Sequence, residues 1–219
     1  MNYILFGSSS ELADSFSKEI SNENIYYISR HPTSYSENNL IIEDYLENLN
    51  EIIEFCKNVE DPIIIFFNGY LNENRPLYTP NYEEVVNTFK INYLIPFEIT
   101  KRIKENNLKI KKFVYVSSFA AVKLRYKNFN YGSSKKLLEE SINSLELENF
   151  LILRFGKINT KMSKNHSSSI FDLDKDKAAQ VLLKNIKTKT GIKYPNLTTK
   201  LLSVIISLTP NFFIKKFQL

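Results

Sequence analysis

The sequence predicts an α/β chain built on a doubly wound parallel sheet of about seven strands, in three layers. Two observations carry this. Short runs of β-branched and aromatic residues alternate with longer stretches of helical periodicity, and such alternation builds βαβ units with right-handed crossovers. The runs PIIIFF (62–67) and FLILR (150–154) are apolar on both faces, as strands covered by helices on two sides must be.

The elements follow in chain order. NYILF (2–6) is the first strand, and Leu12, Phe16 and Ile20 recur at i, i+4 and i+8 to mark the helix after it. NIYYIS (24–29) and NLIIE (39–43) are the next two strands. Leu46, Leu49, Ile53 and Cys56 share one helix face, which makes Cys56 a core residue. PIIIFF (62–67) is followed by the helical stretch FKINYLIPF (89–97), then by the strand KKFVYVS (111–117). Leu138, Ile142 and Leu145 mark another helix, FLILR (150–154) the sixth strand and GIKYP (191–195) a short seventh. Residues 1–195 therefore read as one doubly wound α/β domain, and residues 196–219 as an amphipathic helical tail of that domain. The tail, NLTTKLLSVIISLTPNFFIKKFQL, carries Leu201, Leu202, Ile205, Leu208, Phe212, Phe213 and Phe217 beside Lys200, Lys215 and Lys216. Pro210 should divide it into two helical pieces.

Composition narrows the function classes. With 219 residues, 43% of them apolar, the chain can bury a substantial core, which excludes a disordered tail, a disulfide mini-protein and a collagen-like fibre. One cysteine permits no intrachain disulfide. The start, MNYILFGSSSELA, lacks a charged leader and turns polar early, so no signal peptide is expected. No apolar run approaches ~18 residues, so no spanning helix is expected. The net charge of +5 is uneven: no acidic residue follows Asp176, while eight lysines do. A nucleic-acid binder would be basic more evenly; a localised basic tail suggests an acidic surface such as lipid headgroups. His31 and His166 have no cysteine or carboxylate at ligand spacing, so no metal site is expected.

Three local motifs carry chemistry. The first strand ends in Gly7-Ser8-Ser9-Ser10-Glu11-Leu12-Ala13 and enters a helix. Free N–H groups at a helix start favour a diphosphate, and small residues let it approach. A plain strand–loop–helix turn reads the same way. The second strand ends Ser29-Arg30-His31, where a dinucleotide fold meets the adenosine ribose. A cation there suits a 2′-phosphate, with Ser29 as a donor, although a solvated arginine explains the residue equally. Tyr131 and Lys135 stand four apart in a helical stretch, one face of which brings phenol and ammonium together. A nearby cation lowers a phenol pKa from ~10 and poises it for proton transfer.

Taken in order along the chain, these motifs resemble the classical branch of the short-chain dehydrogenase/reductase family. The resemblance rests on the Gly7 turn, Ser29-Arg30, Asp44, Asn68-Gly69, Asn92, Ser118 at 13 residues before Tyr131, Lys135, and the RFGKINT run at 154–160. It spans roughly residues 1–195 and takes in four of only five glycines. It implies a Rossmann-type fold and an oxidoreductase that transfers a hydride between NADP(H) and a carbonyl/alcohol pair; NAD(H) also fits. The family's roles then fall on Tyr131 as general acid/base, Lys135 as the cation that lowers its pKa and holds the nicotinamide ribose, Ser118 as the group polarising the carbonyl, and Asn92 as support for a water relay. Gly7, Ser9, Ser10 and Leu12 would hold the diphosphate, Ser29 and Arg30 the 2′-phosphate, Asp44 the adenine, Asn68 and Gly69 the cofactor cleft, and Ile158 and Thr160 the carboxamide. Glu11 and Ala13 stand where second and third glycines are usual, Asn68-Gly69-Tyr70 replaces Asn-Ala-Gly, and Phe155 replaces a proline.

More loosely, the tail resembles that of reductases acting on a keto-pentose carried by a polyprenyl phosphate. This implies a keto-sugar or lipid-linked substrate and peripheral contact at the inner face of a membrane by a cytoplasmic protein. The same apolar groups could instead close a homodimer. The stretch KMSKNHSSSIFDL (161–173) suits a lid over the substrate. A different class also fits the altered glycine turn: a regulator or scaffold that binds NAD(P) without turnover. The intact Asn92, Ser118, Tyr131 and Lys135 set opposes it.

Overall fold

The computed structural model describes residues 1–32, 38–71, 81–126, 128–164, 172–210 and 212. Seven parallel strands form the central sheet: β1 (Asn2–Phe6), β2 (Asn24–Ser29), β3 (Asn39–Ile41), β4 (Ile63–Phe66), β5 (Lys112–Ser118), β6 (Phe150–Phe155) and β9 (Gly191–Lys193). Their order is β3-β2-β1-β4-β5-β6-β9. A second, two-stranded parallel pair, β7 (Ile158–Asn159) and β8 (Leu173–Asp174), stands apart and was not evident in the sequence.

The doubly wound, three-layered architecture expected from the sequence is present. Alternate residues of each strand face opposite layers. Ile4, Phe6, Ile28, Ile64, Phe66, Tyr115 and Ile152 share one buried cluster with Ile52, Ile99 and Ile142. These last lie on α2 (Leu49–Lys57), α4 (Ile95–Glu105) and α5 (Phe129–Ser144). Tyr3, Leu5, Ile63, Ile65, Val114, Leu151 and Leu153 face the other layer, against Phe16 and Leu182 on α1 (Glu11–Glu19) and α6 (Lys175–Thr188). In the first cluster Phe6, Phe66 and Tyr115 stack across three strands, with centroids 4.9 and 5.1 Å apart. Each such pair adds about 0.5–1.5 kcal/mol beyond its buried area. Cys56 is part of this core, where burial pushes its thiol up to about 12.

Element ends differ from expectation for local reasons. β3 stops at Ile41 because its neighbour β2 ends at Ser29, whose carbonyl takes the N–H of Ile42. β4 begins after Pro62, which has no N–H for the ladder. The stretch FKINYLIPF is not one regular helix. α3 (Tyr82–Phe89) passes through a π-helical turn at Lys90–Leu94 into α4. Pro96, in the first turn of α4, removes the N–H that would pair with the Asn92 carbonyl.

The tail begins as α7 (Leu197–Leu208), capped by Asn196 and ending before Pro210. Phe213, Lys215, Lys216 and Phe217, and with them the second helical piece, lie outside the described residues. Residues 165–171 of the expected lid do so as well. Among the described residues no helix is long and apolar enough to cross a membrane.

Candidate active site

In a doubly wound sheet, ligands bind beyond the carboxyl ends of the strands where the strand order reverses. Here that point lies between β1 and β4. A cavity of about 990 Å³ opens there, at the top of the range for small-molecule sites. Of the residues predicted for the site, Gly7, Ser9, Ser10, Leu12, Arg30, Asn68, Gly69, Ser118, Tyr131, Lys135, Ile158 and Thr160 all line it.

The chain at the end of β1 shows why Gly7 stands there. Its φ is +70°, and a Cβ would lie 2.8 Å from the Asn68 nitrogen. No other residue allows this turn without strain. The Gly7 N–H donates to the Ile28 carbonyl at 3.0 Å and the Tyr45 hydroxyl at 3.1 Å. Ser10 then caps α1, its Oγ accepting from Ala13 N at 3.2 Å. A helix start thus faces the cavity without the further glycines of the usual pattern. Glu11, an anion at that start, is held by the Lys161 N–H at 2.6 Å and by Lys175 at 3.7 Å.

The catalytic candidates meet at the end of β5. Ser118 and Tyr131 both line the cavity, with the Ser118 side chain near enough to the phenol to lower its pKa. Gly132 makes this approach possible: a Cβ there would lie 2.7 Å from the Ala120 carbonyl oxygen, so the first turn of α5 rests directly on the Phe119–Ala121 turn. Ser118 Oγ accepts from Ala120 N at 3.2 Å, which fixes its direction. Burial raises the Tyr131 pKa, while the Ser118 hydrogen bond and the charge of Arg125 pull it back.

Lys135 is buried, and its Nζ donates to the carbonyls of Val116 at 3.1 Å and Asn68 at 3.4 Å. Burial lowers its pKa to about 8, with Glu139 opposing. The sequence reading assigned the depression of the phenol pKa to Lys135. The structure places a second cation, Arg125, where its charge does this.

Three predicted residues do not line the cavity. Ser29 is fully buried, and its hydroxyl donates to the His31 carbonyl at 2.5 Å, so it is not presented to a 2′-phosphate. Asp44 is ion-paired with Lys90 and accepts from Leu46 N at 2.8 Å. Burial opposes its charge, but Lys90 and the backbone hold the carboxyl below the ordinary value. Its neighbour Tyr45 lines the cavity instead. Asn92, also fully buried, pairs with both backbone groups of Tyr70: it accepts from N at 3.0 Å and donates to O at 2.8 Å. Its side chain therefore clamps the segment after β4 and is not free to support a water relay.

Sequence reasoning missed a buried network beneath the site. Glu139, one turn beyond Lys135, accepts from Ser117 Oγ and from Arg154 Nε at 3.0 and 3.1 Å. Arg154 donates to the Tyr194 hydroxyl at 2.7 Å. Burial opposes the guanidinium charge, but Glu139 holds the Arg154 pKa above the ordinary arginine value. β5, α5, β6 and the segment after β9 are thus tied together below the reacting groups. The i, i+4 spacing of Lys135 and Glu139 was the available signal; nothing in the sequence marked Arg125.

The residues present fit a nicotinamide dinucleotide. Asn68 Oδ1 is buried without a hydrogen-bond partner, which suits a sugar hydroxyl, and the Gly7 turn brings the start of α1 to the cavity, where free N–H groups suit a phosphate. Among the described residues no cluster of histidine, cysteine, aspartate or glutamate could hold a metal ion.

No family model and no curated protein sequence matches the chain. Solved structures of the same fold do. A short-chain dehydrogenase from Burkholderia cenocepacia J2315, in complex with NADP, superposes with a TM-score of 0.75 at 14% identity, covering 95% of this chain and 98% of that one. A short-chain dehydrogenase family protein from Francisella tularensis gives 0.71 at 16% identity, covering 88% and 96%. One from Shigella flexneri, complexed with NADP, gives 0.71 at 16% identity, covering 88% and 95%. The chain has the fold of short-chain dehydrogenases over nearly its full length.

Proposed function

We propose that the chain is an NADP(H)-dependent oxidoreductase acting on a carbonyl/alcohol pair, in the direction of reduction. The observation that carries this reading is that Ser118, Tyr131 and buried Lys135, one turn beyond Tyr131, line the same cavity as Arg30 and the Gly7 turn. NADP complexes of two proteins with this fold support the choice of cofactor.

Gly7, Ser9, Ser10 and Leu12 would hold the diphosphate, and Arg30 the 2′-phosphate. Asn68, Gly69 and Lys135 would hold the nicotinamide ribose, and Ile158 and Thr160 the carboxamide. The bound cofactor supplies the hydride. Tyr131 gives its phenolic proton to the carbonyl oxygen as negative charge develops there. Ser118 donates a hydrogen bond to the same oxygen and so aligns it. Arg125 places positive charge where the phenolate forms, and Lys135 would hold the ribose beside it. Lys135 is fixed by two backbone carbonyls, so its charge needs no rearrangement during the step. Asp44 is engaged by Lys90 and so is not free for the adenine contact the family's pattern gives it.

A finer reading concerns substrate and location. α7 is apolar on two sides. Leu202 and Ile206 line the cavity, while Leu197, Leu201, Ile205 and Leu208 are exposed. Lys123 Nζ donates to the carbonyls of Ser207 and Thr209, which ties the helix end to the loop leading to Tyr131. An apolar outer face beside a lysine-rich, carboxylate-free stretch suits an anionic lipid surface. The inner face suits a substrate with an apolar part, such as a lipid-linked keto-sugar. A second copy of the chain is the alternative cover for the outer face.

Loss of NADPH absorbance with a panel of ketones, free keto-sugars and lipid-linked keto-sugars, with and without anionic vesicles, tests both levels. Turnover is expected, fastest with the lipid-linked compounds and raised by anionic vesicles in a salt-sensitive way. No turnover with any carbonyl despite NADPH binding would favour the non-catalytic regulator. Turnover indifferent to vesicles and lipid carriers would leave α7 as a packing element.

A further inference from the structure

The substrate end of the cavity holds a cation for which the chemistry described so far has only an indirect use. Arg125 lines the cavity and is partly buried. No carboxylate pairs with it among the described residues. A guanidinium withdrawn from water without a counter-ion is costly, and such groups are ordinarily paired. Burial indeed lowers the Arg125 pKa.

The cofactor does not supply the missing anion. Its phosphates belong at the Gly7 turn and at Arg30, on β1 and at the tip of β2. Arg125 follows β5, three strands from β2 in the order β2-β1-β4-β5, about 14 Å across the sheet at the usual strand spacing. The described carboxylates that line the cavity are also engaged: Glu11 with Lys161 N and Lys175, Asp172 with Lys157 at 3.4 Å. Neighbouring Lys123 is turned to the end of α7. Another lining group near Arg125 in the chain lacks a partner. Asn128 Oδ1 is buried without a hydrogen bond, and an acceptor there calls for a hydroxyl.

We propose that Arg125 is a substrate-binding residue that selects carbonyl compounds carrying a carboxylate or phosphate close to the reacting carbon, with Asn128 accepting from a substrate hydroxyl. This rests on the reading of the cavity as an NADP(H) oxidoreductase site and adds its substrate class. A guanidinium fork fixes the orientation of an oxyanion as well as its position, so the contact would also align the carbonyl with Ser118 and Tyr131. The same anion partly neutralises Arg125 once the substrate is seated, so the anionic and neutral forms of one substrate meet different sites.

The test uses the whole chain saturated with NADP+, titrated calorimetrically with two matched pairs: glycerol phosphate against glycerol, and lactate against lactamide. At least one anion is expected to bind about 10- to 100-fold more tightly than its neutral partner. Arg125→Gln should abolish that preference, and Arg125→Lys should keep part of it. The pair preferred by the unaltered chain tells phosphate from carboxylate and needs no variant. Equal binding of anion and neutral partner in both pairs, or a preference that survives in Arg125→Gln, overturns the proposal. Failure of the chain to bind NADP+ at all overturns the oxidoreductase reading, and this inference with it.

Discussion

Tyr131→Phe is expected to lower kcat for carbonyl reduction by a factor of about 10² or more, which corresponds to about 2.7 kcal/mol of transition-state stabilisation. The substitution removes one oxygen. The ring remains between the Phe119–Ala121 turn and the cavity, so the site keeps its shape. What is lost is the phenolic proton placed beside Ser118 at the cavity. Ser118 alone is a poor acid, and Lys135 is engaged by the Asn68 and Val116 carbonyls. Single-turnover measurements with NADPH should therefore show a slowed chemical step and a nearly unchanged Kd for the cofactor. A variant that reduces the same carbonyl at a comparable rate would falsify the assignment of Tyr131 as the acid.

Gly132→Ala should cost a similar factor without touching any reacting group. Alanine is the better helix former by about 1 kcal/mol, and in an exposed helix the change would stabilise. Here the added Cβ would meet the Ala120 carbonyl oxygen at 2.7 Å, and a backbone atom cannot swing aside. The first turn of α5 must lift off the Phe119–Ala121 turn. Tyr131 and Ser118 sit on the two sides of that contact, so their separation grows. Misplacement of a reacting group by about 1 Å can cost on the order of 10² in rate, and overpacking costs about 1–3 kcal/mol of stability. Thermal unfolding and kcat measured on one preparation check both effects. A variant with unchanged kcat would show that the glycine is not what sets the Ser118–Tyr131 distance.

The fold was legible because its signals are local and repeated. A strand such as PIIIFF is apolar at every position, and only burial on both faces suits it. Gly7 and the Tyr131–Lys135 spacing were legible for a similar reason: a positive φ and an i, i+4 pair leave marks in a short window. What was not legible depends on contacts between distant segments. Asp44 sits in the expected place along the chain, yet Lys90, 46 residues on, engages it. Asn92 is at the expected position too, but its side chain is spent on Tyr70, 22 residues back. The sequence reading took Ser29 as a donor by position, and its hydroxyl is turned to the His31 carbonyl. Arg125 lies in no motif, and its meaning comes only from what surrounds it. The π-helical turn could have been suspected from Pro96 within an apolar helical stretch.

The central claim is that the cavity is shaped for NADP(H), with Arg30 reading the 2′-phosphate. Calorimetric titration of the intact chain and of Arg30→Ala with NADPH and with NADH tests it most directly. A charge-assisted contact of this kind is worth about 1.5–3 kcal/mol. The unaltered chain should bind NADPH in a one-to-one complex, about 10- to 100-fold more tightly than NADH, and Arg30→Ala should lose that difference while NADH binding stays nearly constant. Preference for NADH by the unaltered chain, or equal losses for both cofactors on substitution, would contradict the account.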